Sequence, residues 1–127
     1  MNQVATAPAV PHDRPEQLQF IQQALLEGER LHCVFDCKGA GTGFMGLTDR
    51  RVILQDKSFV GGKIALVSLP FSRIASVAIL TNKSVLGAFW SSGELLIVTV
   101  GGSRHTADFR GVDKAKFSHD FILWHLH

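Results

Sequence analysis

Apolar and polar residues alternate along much of the chain from Glu29 to Arg110, which predicts a series of short β-strands. In the first of these, Leu31, Cys33, Phe35 and Cys37 alternate with mainly polar residues, the period of a half-buried strand. Further strands are predicted over residues 44–47, 51–54, 63–69, 74–80, 93–100 and 103–110. No crossover helix separates them, so the pattern indicates a mainly β fold, an antiparallel sandwich or small barrel.

An N-terminal helix is predicted over residues 14–27. Its apolar residues recur at helical spacing, at Leu18, Ile21 and Leu25. Asp13 begins a capping-box pattern, and Gly28 is typical of a helix stop. Residues 1–12 are predicted to be a flexible leader, which leaves residues 13–127 as a single domain.

A C-terminal helix is predicted over residues 112–126, and it is apolar on two faces. One face carries the aromatic residues Phe117, Phe121 and Trp124. The nearly opposite face carries Ala115, Ile122 and Leu126. Because packing on a sheet can bury only one face, we predict that the aromatic face plugs the barrel. Ile122 and Leu126, with Phe89 and Trp90, then become the candidate partner interface.

The strands also carry more apolar surface than one small domain can cover. Residues 64–67 and 95–98 are apolar on both faces. Self-association would cover that surface, and this predicts a homo-oligomer. The alternative is that the N-terminal helix covers it.

Composition and charge exclude several functional classes. The 127 residues are 46% hydrophobic and carry 13 Lys and Arg against 11 Asp and Glu, so the charge gives no strong attraction to nucleic acid. The basic and aromatic residues do not interleave as in a nucleic-acid surface. No segment has the length of a membrane span and no signal sequence is evident, so we expect a cytoplasmic domain.

Candidate chemical motifs do not lead to a reactive site. Cys33 and Cys37 would lie about 13 Å apart in one strand, too far for a disulfide. Residues 41–46 match G-x-G-x-x-G, but they lead into a strand rather than a helix, which a dinucleotide site requires. The carboxylates and histidines are scattered. We therefore predict no catalytic, cofactor-binding or metal-binding residues, and we expect a protein that is not an enzyme.

Several short motifs, in order, resemble the bacterial pleckstrin-homology-like (PH-like) domain family. They lie at residues 26–30, 38–53, 68–77, 93–95 and 109–114. The resemblance covers residues 26–126. It implies a seven-stranded, strongly bent antiparallel barrel closed by a C-terminal helix. It also implies ring assembly through exposed strands, with a biochemical function that is largely undefined.

Three functional hypotheses follow. The first is a non-catalytic, self-assembling module that binds a protein partner by strand addition or groove packing. The second is a peripheral membrane or lipid-headgroup module that uses the cations Lys38, Arg50, Arg51 and Lys63. Lipid-binding members of the wider superfamily use basic residues between the first two strands, where this chain has one Lys and no Arg. The third is a small-ligand carrier or enzyme that uses the barrel mouth.

Overall fold

The structure is a computed structural model, and it describes residues 9–81, 93–111 and 113–126. The described residues form two antiparallel sheets and two helices. The first sheet has the order β1-β2-β3-β4, with β1 Leu31–Asp36, β2 Thr42–Thr48, β3 Arg51–Asp56 and β4 Ala65–Pro70. The second has the order β5-β6-β7, with β5 Ile74–Leu80, β6 Glu94–Thr99 and β7 Arg104–Asp108. The predicted mainly β, antiparallel fold is confirmed.

The two sheets meet at two corners. At one corner the backbones of Cys37 and Phe109 form an isolated antiparallel β-bridge. At the same corner the Thr42 hydroxyl donates to the carbonyl of Thr106 over 2.6 Å. At the other corner a 3₁₀ turn, Phe71–Arg73, joins β4 to β5. The sheets therefore pack face to face around one interior, with β4 and β5 as the strands on either side of the second corner.

The interior is filled by side chains from both sheets. Its fully or almost fully buried members include Cys33, Met45, Leu47, Val52, Leu54, Leu95, Ile97 and Phe109. Each large apolar side chain buried in this way stabilises the fold by about 1.5–3 kcal/mol. The interior is therefore a packed core, and it gives the small-ligand carrier hypothesis no support.

The first helix, α1 Pro15–Ala24, packs on the outer face of the first sheet. Ile21 is fully buried there against Val34, Phe44 and Ile53. A Cβ at Gly46 would lie 2.5 Å from the Ile21 Cδ1, so glycine is what allows this close approach. Part of the sheet's outer apolar surface is thus covered within one chain.

The start of α1 differs from the predicted capping box. The N-cap residue is Arg14 and makes no side-chain capping bond. The chain before it runs beside β1, where Pro11 O accepts from Val34 N over 3.0 Å. This pairing directs Asp13 toward the strand, where its carboxylate accepts from Asp36 N over 2.9 Å. Pairing with the sheet therefore begins within the predicted leader, and the capping-box prediction is wrong.

The second helix, α2 Lys114–Trp124, buries the face opposite to the one predicted. Ala115, Ser118 and Ile122 are fully buried. Phe117 is 48% exposed and Trp124 is 74% exposed. Ala115 and Ser118 are small, so the backbone of α2 can approach the sheet closely. Ile122 fills the remaining space between the helix and the sheet. The predicted aromatic plug is therefore wrong for Phe117 and Trp124.

The predicted partner interface changes for the same reason. Ile122 belongs to the core, so it is not available to a partner. Leu126 is partly buried against the same core. Phe121 lies at the flank of the helix, with its ring centroid 4.9 Å from that of His32 and 4.4 Å from that of His125. Phe89 and Trp90 lie outside the described residues.

Candidate functional site

Arg51 and Glu29 form a buried ion pair. The Arg51 Nε donates to Glu29 Oε2 and its Nη2 to Glu29 Oε1, each over 2.8 Å. Thr48 Oγ1 donates to the same carboxylate over 2.7 Å, and the backbone N–H of Leu26 does so over 2.9 Å. The guanidinium also donates to Ala24 O and Ser68 Oγ. This cluster ties the loop after α1 to the β2–β3 turn.

The electrostatics of the cluster identify it as structural. The Glu29 side chain is completely buried, and that of Arg51 is 14% exposed. The hydrogen bonds from Arg51 lower the pKa of Glu29 to about 2, against the opposing effect of burial. The Arg51 guanidinium is therefore neutralised by Glu29 inside the fold, and its predicted role as a phosphate contact is wrong.

A second ionic cluster surrounds Asp36 at the end of β1. Gln17 Nε2 and Arg110 Nε donate to its two carboxylate oxygens, each over 2.7 Å. Burial disfavours the ionised form of Asp36, but these hydrogen bonds outweigh it and lower the pKa of Asp36. Nearby, Lys114 Nζ lies 2.6 Å from Asp13 Oδ1. The two contacts hold α1, β1 and the start of α2 together.

The remaining predicted phosphate contacts do not converge. Lys38 lies in the β1–β2 connection and Lys63 in the β3–β4 connection, at one end of the first sheet. Arg50 lies in the β2–β3 turn, at the other end. All three side chains are exposed. The length of β2 separates the two groups, so the four predicted cations do not form one phosphate site.

A surface that the sequence reasoning missed lies along β4. In the described part of the chain, β4 pairs only with β3, so its other edge is open. Beside it is an apolar groove of about 290 Å³, lined by Phe20, Gln55, Ile64, Ala65 and Leu66. Helix α1 contributes Phe20, whereas Ile64 is 61% exposed and Leu66 is also exposed. The groove can accept an apolar side chain from outside.

The hydrogen bonding of β3 and β4 fixes which groups face this open edge. Phe71 N donates to Arg50 O, and these two residues continue the register in which Ser68 lies opposite Ile53. Hydrogen-bonded pairs alternate along an antiparallel ladder. The N–H and C=O groups of Leu66 and Ser68 therefore point to the open edge. Pro70 also turns its backbone toward the open edge, so its missing N–H does not interrupt the hydrogen bonds between β3 and β4.

The charge around β4 has one sign. Residues 57–81 contain the cations Lys57, Lys63 and Arg73 and no acidic residue. Lys63 precedes β4 and Arg73 follows it, and both are exposed. The absence of acidic residues over this run is visible in the sequence. It indicates a basic binding surface only once β4 is known to be an edge strand.

Reactive chemistry finds no support in the described residues. Burial raises the pKa of Cys33 and of Cys37 to about 12, so both thiols stay protonated. Across residues 9–81, 93–111 and 113–126, no three His, Cys, Asp or Glu side chains are grouped in a way that could hold a metal ion. In the same ranges no helix has the length and apolar character needed to cross a membrane.

The protein is similar to known proteins in its three-dimensional structure. No protein-family model and no curated protein matches the sequence. A DUF1696 family protein with a pleckstrin-homology domain from Shewanella loihica is 22% identical, with a TM-score of 0.60 over 88% of this chain and 92% of that one. A pleckstrin homology domain from Shewanella amazonensis is 20% identical, with a TM-score of 0.64 over 91% of this chain and all of that one.

Both likenesses extend over most of this chain and of the chains compared with it. The chain has the pleckstrin-homology-like fold of these bacterial proteins.

Proposed function

We propose that the protein is a non-catalytic, cytoplasmic interaction module that self-associates and binds a protein partner. The observation that carries self-association is the outward face of α2, where Trp124 and Phe117 expose large aromatic surface. Exposed apolar groups of this size are typical of surfaces that bind another protein. The partner interface predicted at Ile122 and Leu126 is thus replaced by the aromatic face of the same helix.

The spacing of these two residues suits a symmetric helix pair. Phe117 and Trp124 are seven positions apart, so they lie along one line of the helix. In an antiparallel, twofold-related pair, Phe117 of one copy would face Trp124 of the second copy. Lys116 and Asp120, an ion pair 2.5 Å apart on the same helix, lie beside that line and would form the polar rim.

Light scattering of the purified protein across micromolar concentrations tests the proposal. The wild type should have at least twice the monomer mass, and Trp124→Ser should lower that mass with little change in thermal stability, because the side chain is mostly exposed. Val60→Ser is the matched control, since Val60 is 93% exposed but lies in the β3–β4 connection. A monomeric wild type at every concentration would contradict self-association.

A second candidate function, docking to an anionic membrane surface, has one observation in its favour. Arg30, Arg50 and Arg73 are exposed and lie in three adjoining connections. Asp49 N donates to Arg30 O over 3.0 Å, and Phe71 N donates to Arg50 O over 3.3 Å, which holds these connections side by side. Guanidinium groups clustered in this way attract anionic headgroups.

Flotation with phosphatidylglycerol vesicles at low salt tests this candidate. Each arginine near the surface contributes about fivefold to binding, so Arg50→Gln with Arg73→Gln should reduce it by about 25-fold. Lys38→Gln with Lys63→Gln removes the same charge from the other end of the sheet and should have little effect. Equal losses in both double variants, or no flotation of the wild type, would rule the candidate out.

A further inference from the structure

We infer that the open edge of β4 binds an extended segment of a partner protein whose centre alternates apolar and polar residues and whose two ends carry carboxylates. The inference rests on the proposed function, of which it specifies the partner's chemistry. It concerns a surface separate from the outward face of α2.

The backbone of β4 supplies the general part of the recognition. Leu66 and Ser68 turn their N–H and C=O groups to the open edge, so an added strand can form main-chain hydrogen bonds there. Neither residue is charged. Edges that are protected against pairing usually carry a charged residue or a proline within the strand. The cations lie beyond the two ends of β4 and its proline is its last residue, Pro70, so the edge at Leu66 and Ser68 has neither.

The groove supplies apolar selectivity. It lies between Phe20 of α1 and the exposed outer side chains Ile64 and Leu66. Side chains of an added strand alternate between the two faces of the sheet, so every second one would lie on the α1 side. A volume of about 290 Å³ accommodates a branched or aromatic side chain from such a strand.

Charge specifies the ends of the segment. Lys63 and Arg73 stand at opposite ends of β4 and are exposed. The carboxylates nearby in the fold are already engaged. Asp56, which lies opposite Ala65, accepts from Ser58 N and Oγ, and Glu29 is bound to Arg51. Carboxylates of a partner would therefore complement both ends of the strand.

The same charges disfavour β4 of a second copy of this chain as the occupant. If two β4 strands paired antiparallel, Lys63 of each would approach the end that carries Arg73 of the other. If they paired parallel, Lys63 would lie beside Lys63 and Arg73 beside Arg73. Both arrangements bring cations together at each end, which costs binding energy. A heterologous segment with acidic ends avoids this repulsion.

A labelled synthetic peptide tests the inference by fluorescence anisotropy. The peptide alternates valine and threonine in its centre and has two glutamates at each end, and its comparator has lysines in place of the glutamates. The glutamate peptide should bind the full chain at least tenfold more tightly than the lysine peptide. Lys63→Glu with Arg73→Glu should reverse that preference.

Ser68→Pro tests the edge itself. It removes an outward N–H without breaking the β3–β4 ladder, and Ser68→Ala is the matched control that loses only the hydroxyl bound by Arg51. Binding should fall about tenfold in the proline variant and stay near wild type in the alanine variant, with thermal melts confirming that both fold.

The inference is overturned if the glutamate peptide does not bind, if both peptides bind equally, or if the two Ser68 variants bind equally. If Ser68→Pro lowers the self-associated mass in light scattering, a second copy occupies the edge and the inference is also wrong. Self-association through Trp124 is measured without peptide, so the proposed function can stand or fail independently.

Discussion

Replacing Glu29 by glutamine is the most informative perturbation of the buried ion pair. Glutamine keeps the shape of the side chain but removes its charge and one acceptor oxygen. In the wild type the carboxylate accepts hydrogen bonds from Leu26 N, Thr48 Oγ1 and two nitrogens of Arg51. The new amide group would face a donor, and the Arg51 guanidinium would lose its counter-charge while remaining mostly buried.

The burial of the pair and the lowered pKa of Glu29 each set the size of the effect. Removing one partner of a buried ion pair costs about 3–5 kcal/mol in the free energy of unfolding. The lowering of the Glu29 pKa from 4.5 to about 2 corresponds to about 3 kcal/mol of stabilisation by the ionised form. For a domain of this length, such a loss should lower Tm by about 10–20 °C.

The pH dependence has a definite sign. Because the pKa of Glu29 is lower in the folded state than in the unfolded state, its contribution is complete above about pH 4.5 and is lost as the pH falls toward 2. Urea unfolding of the wild type and Glu29→Gln should therefore differ by about 3 kcal/mol at pH 7 and converge near pH 2. Other carboxylates titrate in both proteins and cancel in the difference.

Glu27→Gln is the matched control, since Glu27 is an exposed carboxylate in the same loop. It should change stability by less than about 0.5 kcal/mol. A stabilising role of the Glu29–Arg51 pair is refuted if Glu29→Gln is as stable as this control at pH 7, or if its difference in stability from the wild type does not change with pH.

Three further predictions concern packing. Gly46→Ala should destabilise the protein by about 1–3 kcal/mol in urea unfolding, because the new Cβ collides with the Cδ1 of Ile21, which is fully buried; unchanged stability would mean that the Ile21 side chain can rotate away. Ile122→Ala should cost about 2–5 kcal/mol in the same assay, a loss that an exposed position would not show. Cys33 and Cys37 should react with a thiol reagent only after denaturant is added, because both are buried and protonated; rapid labelling of the folded protein would contradict this.

The strands were predictable because alternation reports directly on a half-buried sheet. The segment that includes Cys33 and Phe35 is β1, and both residues belong to the core, as predicted. The open edge of β4 was not predictable in this way. It depends on which strands pair with one another, and the alternation within a single strand carries no information about that.

The faces of α2 could not be assigned from periodicity. Both faces are apolar, so the hydrophobic pattern alone gives no preference, and larger side chains were expected inside. The close approach of helix and sheet reversed that expectation, because Ala115 and Ser118 permit a short distance that Phe117 would prevent.

The adjacent arginines Arg50 and Arg51 show a similar limit. As a pair in sequence they indicate a solvated basic turn. In the structure, Arg51 is the first residue of β3 and reaches Glu29, whereas Arg50 remains in the turn and is exposed. Only the long-range position of the loop after α1 distinguishes the two side chains.

The cluster around Asp36 has a mechanical consequence. Asp13 is bonded to Lys114, and Asp36 to Arg110, so residues near both ends of the described chain are held at one place. If these contacts broke under tension, each helix would still be held by its own packing, α1 through Ile21 and α2 through Ile122. The cluster therefore sets where the two ends of the chain lie relative to each other, and the packing of the helices sets how much force the fold resists.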